Sequence, residues 1–146
     1  MKKTDEPIIV EQIFNASKEK VWRSITDLNE MVNWYFDKIP DFKPVVGFKT
    51  QFNIINEGRD FLHLWEVIEA VENEKIVYNW QYEGYEGSAD VHFLLFEIGD
   101  TVKLEVKVIV LDDFNENIPE FTRDSCHSGW KYFINESLYK YLEKSN

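Results

Sequence analysis

Cys126 and His127 stand side by side in the stretch "CHSGW", a pairing that in a suitable geometry yields a thiolate–imidazole nucleophile. The apolar spacing around them reads as a helix, and on a helix adjacent residues project about 100° apart. The pair therefore cannot form a dyad by itself, and Cys126 reads as an ordinary buried thiol. His63 and His92 fall on strand-like runs, with Glu66 and Asp90 nearby in sequence. Neither sits in an H-x-H or H-E-x-x-H spacing, the patterns that gather metal ligands on one element. Carboxylates are numerous but scattered: Asp112-Asp113 and Glu72-Asn73-Glu74 read as solvated turns. No P-loop, dinucleotide-binding glycine motif or G-x-S-x-G occurs. These residues identify no catalytic group, no metal site and no cofactor.

The aromatic residues say more. The 146 residues include 5 Trp, 7 Tyr and 11 Phe, 16% of the chain, more than a small core absorbs without being shaped around them. Trp34, Tyr35 and Phe36 form one run, Trp65, Trp80 and Tyr82 lie on predicted strands, and Trp130 lies on the predicted last helix. Two readings stay open: these rings fill a solid core, or they line a pocket for an apolar or aromatic ligand, with Tyr hydroxyls or a His as polar handles. The candidate ligand-binding residues are Trp34, Phe36, Phe52, Trp65, Tyr78, Trp80, Tyr82, Phe93, Trp130 and Ile134. Trp65 and Trp80 could equally face outward, since a slip of one residue reverses every strand face.

Charge narrows the partners. With 16 Lys+Arg against 27 Asp+Glu the formal net charge is −11, and the densest basic cluster is "MKK" at the start. Such a field repels a phosphate backbone, so nucleic acid and anionic membrane are not expected partners. Apolar runs such as "VKVIVL" have strand length, far short of the ~20 residues of a membrane helix, so no membrane insertion is expected. "MKKTDEPIIVEQIF" turns acidic before its apolar stretch and does not read as a signal peptide. A single Cys cannot form an internal disulfide, and the expected address is the cytoplasm. Length and the absence of a linker or repeat predict one domain over residues 1–146.

The elements that must position the aromatics follow from periodicity. "PIIVEQIF" (7–14) is β-branched and reads as a strand. "NASKEKVWRSIT" reads as a helix capped by Asn15 or Ser17, burying Val21, Trp22 and Ile25. "DLNEMVNW" starts a second short helix with Asp27 and Glu30 in an arrangement related to the capping box. A run of strands separated by turn signals fills the middle of the chain. "GFKTQFNII" alternates Phe48, Thr50, Phe52 and Ile54 against polar residues, and "KIVYNWQY" puts Ile76, Tyr78, Trp80 and Tyr82 on one side. "SADVHFLLFEI" carries Phe93, while "FLHLWEVIEAV" is apolar on both faces, leaving its inward side open. "TVKLEVKVIV" is the cleanest strand, with Val102, Leu104, Val106, Val108 and Val110 inward and Lys103, Glu105 and Lys107 outward. Short connections imply antiparallel neighbours.

The last helix is predicted from Pro119 to Glu143, about 37 Å, with Asn117 as a nearby cap and Glu120 set against the dipole. Trp130, Ile134, Leu138, Tyr141 and Leu142 form its apolar stripe; Lys131, Asn135, Lys140 and Glu143 form its wet side. Gly129 sits inside it, where glycine costs roughly 1 kcal/mol relative to Ala. Either the backbone there approaches a neighbour closely or bends, or packing merely tolerates the glycine.

This order, with "VEQIFNASKEKVWRSITD", "WYFDKIPDFKPVVGFKTQF", "WEVIEAVENEKIVYNW" and the "GW" of the last helix, resembles the helix-grip domains of the START/Bet v 1-like (SRPBCC) superfamily. Within it, the chain resembles the branch named after the activator of heat shock protein 90 ATPase. The resemblance implies an α+β fold: a curved antiparallel sheet wrapped around a long C-terminal helix, two short helices after the first strand, and a mainly apolar cavity between sheet and helix. The eukaryotic activator carries a further domain for which these 146 residues leave no room, so its co-chaperone activity is not carried over whole. Three functions are then in view. The preferred one is a module binding a small hydrophobic ligand; the second is a partner of a chaperone. The third, a cyclase- or hydratase-type enzyme, needs an ionisable group inside the cavity, with His92, His63, Glu66 and Tyr82 as candidates.

Overall fold

The computed structural model describes residues 1–144. Six strands form one sheet: β1 (Ile8–Phe14), β2 (Lys49–Asn56), β3 (Arg59–Val71), β4 (Lys75–Tyr82), β5 (Ser88–Ile98) and β6 (Thr101–Asp112). Their spatial order is β1-β6-β5-β4-β3-β2, every neighbour antiparallel. β6 buries Val102, Leu104, Val106 and Val108 and turns its lysines and Glu105 to the other face, as alternation dictates. The ambiguity of β3 resolves with Phe61, His63, Trp65 and Val67 inward, up to a register shift between Val67 and Glu69. Such a bulge bends a strand and increases its twist.

Two helices follow β1. Ser17, not Asn15, caps α1 (Lys18–Thr26), its hydroxyl accepting from the Lys20 N–H at 3.2 Å. Asp27 caps α2 (Leu28–Trp34), accepting from the Asn29 N–H at 3.0 Å. Glu30 instead accepts at 3.3 Å from the hydroxyls of both Ser24 and Tyr141, tying both short helices to the C-terminal one.

The C-terminal helix starts later than its sequence predicts and is not α-helical throughout. Pro119–Phe121 forms a separate 3-10 turn, and Thr122, rather than Asn117, caps α3 (Arg123–Lys131), accepting from the Ser125 N–H. Glu120 lies in the first turn of this 3-10 segment, and its carboxylate takes Arg59 Nε and Nη2 at 2.8–3.1 Å and the Asn56 amide at 2.7 Å, clamping the β2–β3 turn to this corner. After α3 comes a π-helical segment, Tyr132–Leu138, then α4 (Tyr139–Lys144). The buried stripe Trp130, Ile134, Leu138 and Leu142 repeats every four residues. On a 3.6-residue helix each such step walks about 40° around the axis, about 120° over the stripe. The wider π turn holds more residues and keeps the stripe facing the sheet. Asn135, predicted on the wet side, reaches back to β1 and donates to the Glu11 carbonyl at 2.8 Å and Gln12 Oε1 at 3.0 Å.

Gly129 makes room for nothing. A Cβ built there meets no atom within 4 Å, and the residue is exposed. Close approach is therefore overturned. The residue that does make room is Gly87, at φ 118°, whose side-chain space is filled by the Phe114 ring. Gly129→Ala is expected to stabilise the protein by about 0.5–1 kcal/mol, read as a raised midpoint in urea with an unchanged m-value. A lowered midpoint would mean that the glycine relieves strain in the helix.

Candidate functional site

Alternation and register bring the predicted aromatics to one face. Across the β2–β3 ladder Phe52 lies opposite His63, and across β3–β4 His63 lies opposite Tyr82 and Trp65 opposite Trp80. The rings follow: Phe52 and Trp65 are 4.9 Å apart between centroids, Trp65 and Trp80 5.0 Å, Trp65 and Tyr78 4.7 Å. Phe93 on β5 stacks on Tyr78 at 5.6 Å. From the helix side Trp130 meets Trp80 and Phe93 edge-on at 5.8 and 5.7 Å, with the fully buried Ile134 one turn along. Trp65 and Trp80 thus both point inward. The Trp34 indole N–H donates to the Ser24 carbonyl at 2.7 Å, which fastens α2 to α1.

The centre of this layer is a residue outside the candidate set. Tyr35 stacks on Trp34 at 4.6 Å and touches Phe36, Trp65, Phe93, Trp130 and Phe133; its hydroxyl meets that of Tyr78 at 2.7 Å. Phe133, on the π segment, packs on both Tyr35 and Phe36 at 5.0 Å. The "WYF" run signals an aromatic cluster, but it lies at a helix end where no periodicity tells which ring faces in. In this layer, where the resemblance implies a cavity, the rings themselves stand. Phe36 and Phe133, both half-buried, close it by packing on each other at 5.0 Å, with Phe36 reaching Phe52 of β2 at 5.3 Å. A cleft of about 660 Å³ opens there between Asp37, Lys38 and Pro40 and the β2 residues Phe52 to Ile55, sharing Phe52 with the layer.

The ionisable rings of this layer are themselves neutral. Burial pushes the phenols of Tyr35, Tyr78 and Tyr82 well above the ordinary tyrosine range and brings His63 down to about 4, so all stay neutral at pH 7. His63 Nδ1 lies 3.1 Å from the Phe61 carbonyl; since a carbonyl can only accept, Nδ1 carries the proton of the neutral ring. Among the described residues two buried donors lack a hydrogen-bond partner, the indole nitrogens of Trp65 and Trp80. The Tyr82 hydroxyl is near enough to Trp80 to feel it but lies outside hydrogen-bond geometry.

The enzyme candidates divide. His63 and Tyr82 face the layer; Glu66 and His92 lie on the outer face, where Glu66 pairs with Lys49 at 4.0 Å and burial lowers the His92 pKa. Burial pushes the Cys126 thiol up to about 11, so at neutral pH it is not a thiolate nucleophile.

A six-stranded antiparallel sheet with two helices after its first strand, its inner face covered by a long C-terminal helix, defines a helix-grip protein of the START/Bet v 1-like class. Residues 15–143 match the family described as activator of Hsp90 ATPase homolog 1-like protein, and the chain belongs to that family. Protein CV1439 of Chromobacterium violaceum is similar over 94% of this chain and 97% of its own, with 18% identity and a TM-score of 0.78. The Aha1 dimer of Colwellia psychrerythraea is similar over 94% and 96%, with 18% identity and a TM-score of 0.68. DynU16, from the dynemicin biosynthetic locus, shares 20% identity and a TM-score of 0.76; the match covers 97% of this chain and 49% of DynU16, about half its length. Identities this low carry the fold and not the activity. No curated protein matches the chain in sequence. Among the described residues no helix is long and apolar enough to cross a membrane.

Proposed function

We propose that this protein binds a small hydrophobic or aromatic molecule between its sheet and its C-terminal helix. The observation that carries the reading is the closure of the aromatic layer by two half-buried rings, Phe36 and Phe133. Phe36 stands on the segment between α2 and β2, outside any regular element, and Phe133 stands on the π segment. Rings held this way rotate at lower cost than rings fixed in a strand ladder, and the cleft beside Phe52 supplies the way in. A minor open state made dominant by its ligand is how a closed pocket of this kind works. The ligand set is Phe36, Phe52, Trp65, Tyr78, Trp80, Tyr82, Phe93, Trp130 and Ile134, with Tyr35 and Phe133 added; Trp34 holds the helices that frame it. An unpaired Cys126 supports a cytoplasmic address. Native mass spectrometry of gently purified protein tests the reading: an adduct that denaturation releases is expected. One unliganded mass, with a melting temperature unmoved across a library of apolar and aromatic compounds, overturns it.

A second reading, contact with a chaperone, has its own observation besides the family. On the outer face Ile13 (51% exposed), Lys103 and Phe96 (44% exposed) lie directly opposite one another across β1, β6 and β5, with Lys103 over the Phe96 ring at 5.2 Å and Ile98 exposed beyond. A mixed apolar and charged patch of this sort suits protein contact. Calorimetric titration against an Hsp90-type chaperone decides it; no heat and no change in ATPase rate removes this reading.

A further inference from the structure

Buried polar groups are almost always paired, so two neighbouring indole N–H groups without a hydrogen-bond partner among the described residues, Trp80 having only the more distant Tyr82 hydroxyl beside it, call for a physical reason. Trp65 is 2% exposed and Trp80 9%, and their rings lie 5.0 Å apart. Beside them His63 spends its Nδ1 proton on the Phe61 carbonyl, which leaves Nε2 with a bare lone pair. One ring touches all three residues. Phe36 is 6.0 Å from Trp65, 5.9 Å from Trp80 and 5.2 Å from His63, between centroids. It is half-buried, borders the cleft through Phe52 at 5.3 Å, and its carbonyl accepts one long backbone bond, from the Ile39 N–H at 3.4 Å.

We infer that the ligand is an uncharged, planar molecule carrying a hydrogen-bond-accepting oxygen, of which a carbonyl is the simplest, and that it seats where the Phe36 ring now lies. This rests on the ligand-binding reading above. A purely apolar guest would fill the space and leave both indoles orphaned. An accepting oxygen gives them the partner the fold withholds, while its flat frame takes over the ring contacts of Phe36 with Phe52, His63 and Phe133. An anionic acceptor is disfavoured, because the rings around Phe36 carry no positive charge, Lys38 lines only the open cleft, and a buried charge without a counter-charge is costly. His63 is held neutral by the same burial and supplies no cation. Its Nε2 can instead accept from a hydroxyl carried on the same frame.

The test uses three probes on one bicyclic frame: indane, indan-1-one and indane-1-carboxylate. They are titrated into the intact protein by calorimetry, with the indole N–H signals followed by NMR. Indan-1-one is expected to bind about tenfold more tightly than indane, to move the Trp65 indole proton downfield, and to bind more tightly than the carboxylate. Trp65→Phe and Trp80→Phe, checked for folding by thermal melt, bring the ketone and the hydrocarbon together. Phe36→Ala strengthens both. Equal binding of ketone and hydrocarbon with unmoved indole signals overturns the inference and leaves the ligand-binding reading standing. Carboxylate binding as tightly as ketone overturns its uncharged character. No binding by any probe, to the wild type or to Phe36→Ala, overturns the inference and the reading together.

Discussion

Lowering the pH from about 6.5 to about 4 is expected to weaken the fold by about 3 kcal/mol through His63 alone, and His63→Phe to abolish that loss. The imidazole is 5% exposed and ringed by Phe36, Phe52, Trp80 and Tyr82, with the Phe61 carbonyl as its hydrogen-bond acceptor. Desolvation outweighs that carbonyl and brings the pKa down to about 4 in the folded chain from an ordinary 6.5. The unfolded chain therefore binds a proton first as the pH falls. Its contribution is complete above pH 6.5, drains away toward pH 4 and levels off below, where both states are protonated. Other groups act elsewhere. The Glu120 carboxylate, held low chiefly by Arg59, contributes in full above its ordinary 4.5 and loses that contribution as the pH falls from there through its folded value, so its loss begins where that of His63 is ending. His92, on the outer face, is also lowered by burial, and His92→Gln serves as the control for its share. Urea melts between pH 4.5 and 7.5 read the slope. The Phe variant gives up one hydrogen bond and shifts the whole curve, so the slope and not the height decides. An equal slope in wild type and His63→Phe would exclude the buried imidazole as the cause.

That a histidine sits in this layer at all follows from strand register, which the local sequence leaves open in β3. Phe61, Leu62, Leu64, Trp65 and Val67 supply apolar residues to both faces, so hydrophobic alternation fails there. The face is set by pairing with β4, where Tyr78, Trp80 and Tyr82 alternate cleanly against Asn79 and Gln81. The fold was legible because β4, β6 and the two capped helices each carry a strong local signal, and their order leaves the C-terminal helix to cover the sheet. The helix start was not legible. Pro119 and Glu120 make a good first turn locally, but Glu120 belongs to Arg59, 61 residues earlier in the chain. Phe133 was missed because it flanks an apolar stripe predicted on α-helical geometry, and Tyr35 because a helix end has no period. Long-range pairing and irregular backbone, the two things local patterns do not encode, account for all three.

Trp130→Ala is expected to cost about 3–5 kcal/mol, while the change one residue earlier, Gly129→Ala, stabilises. Both replace a residue of α3 with a good helix former, so propensity cannot separate them; only packing can. Gly129 faces open space, whereas Trp130 is 6% exposed and touches Tyr35, Trp80, Phe93 and Phe133 at 5.7–6.2 Å. Deleting the indole removes its transfer free energy and leaves a void walled by four rings that the strand ladders, the end of α2 and the π segment hold apart. A shift of roughly 10–15 °C in melting temperature corresponds to a loss of this size in a chain of this length. Apolar cavities of this kind bind small aromatic guests, so added indole is expected to restore part of the lost stability in Trp130→Ala and to leave Gly129→Ala unmoved. A loss below about 1 kcal/mol would mean that the layer collapses into the vacated space. Rings mobile enough to do that would also make room for a ligand by a general softening of the layer, and the rotation of Phe36 alone would no longer be needed to admit one.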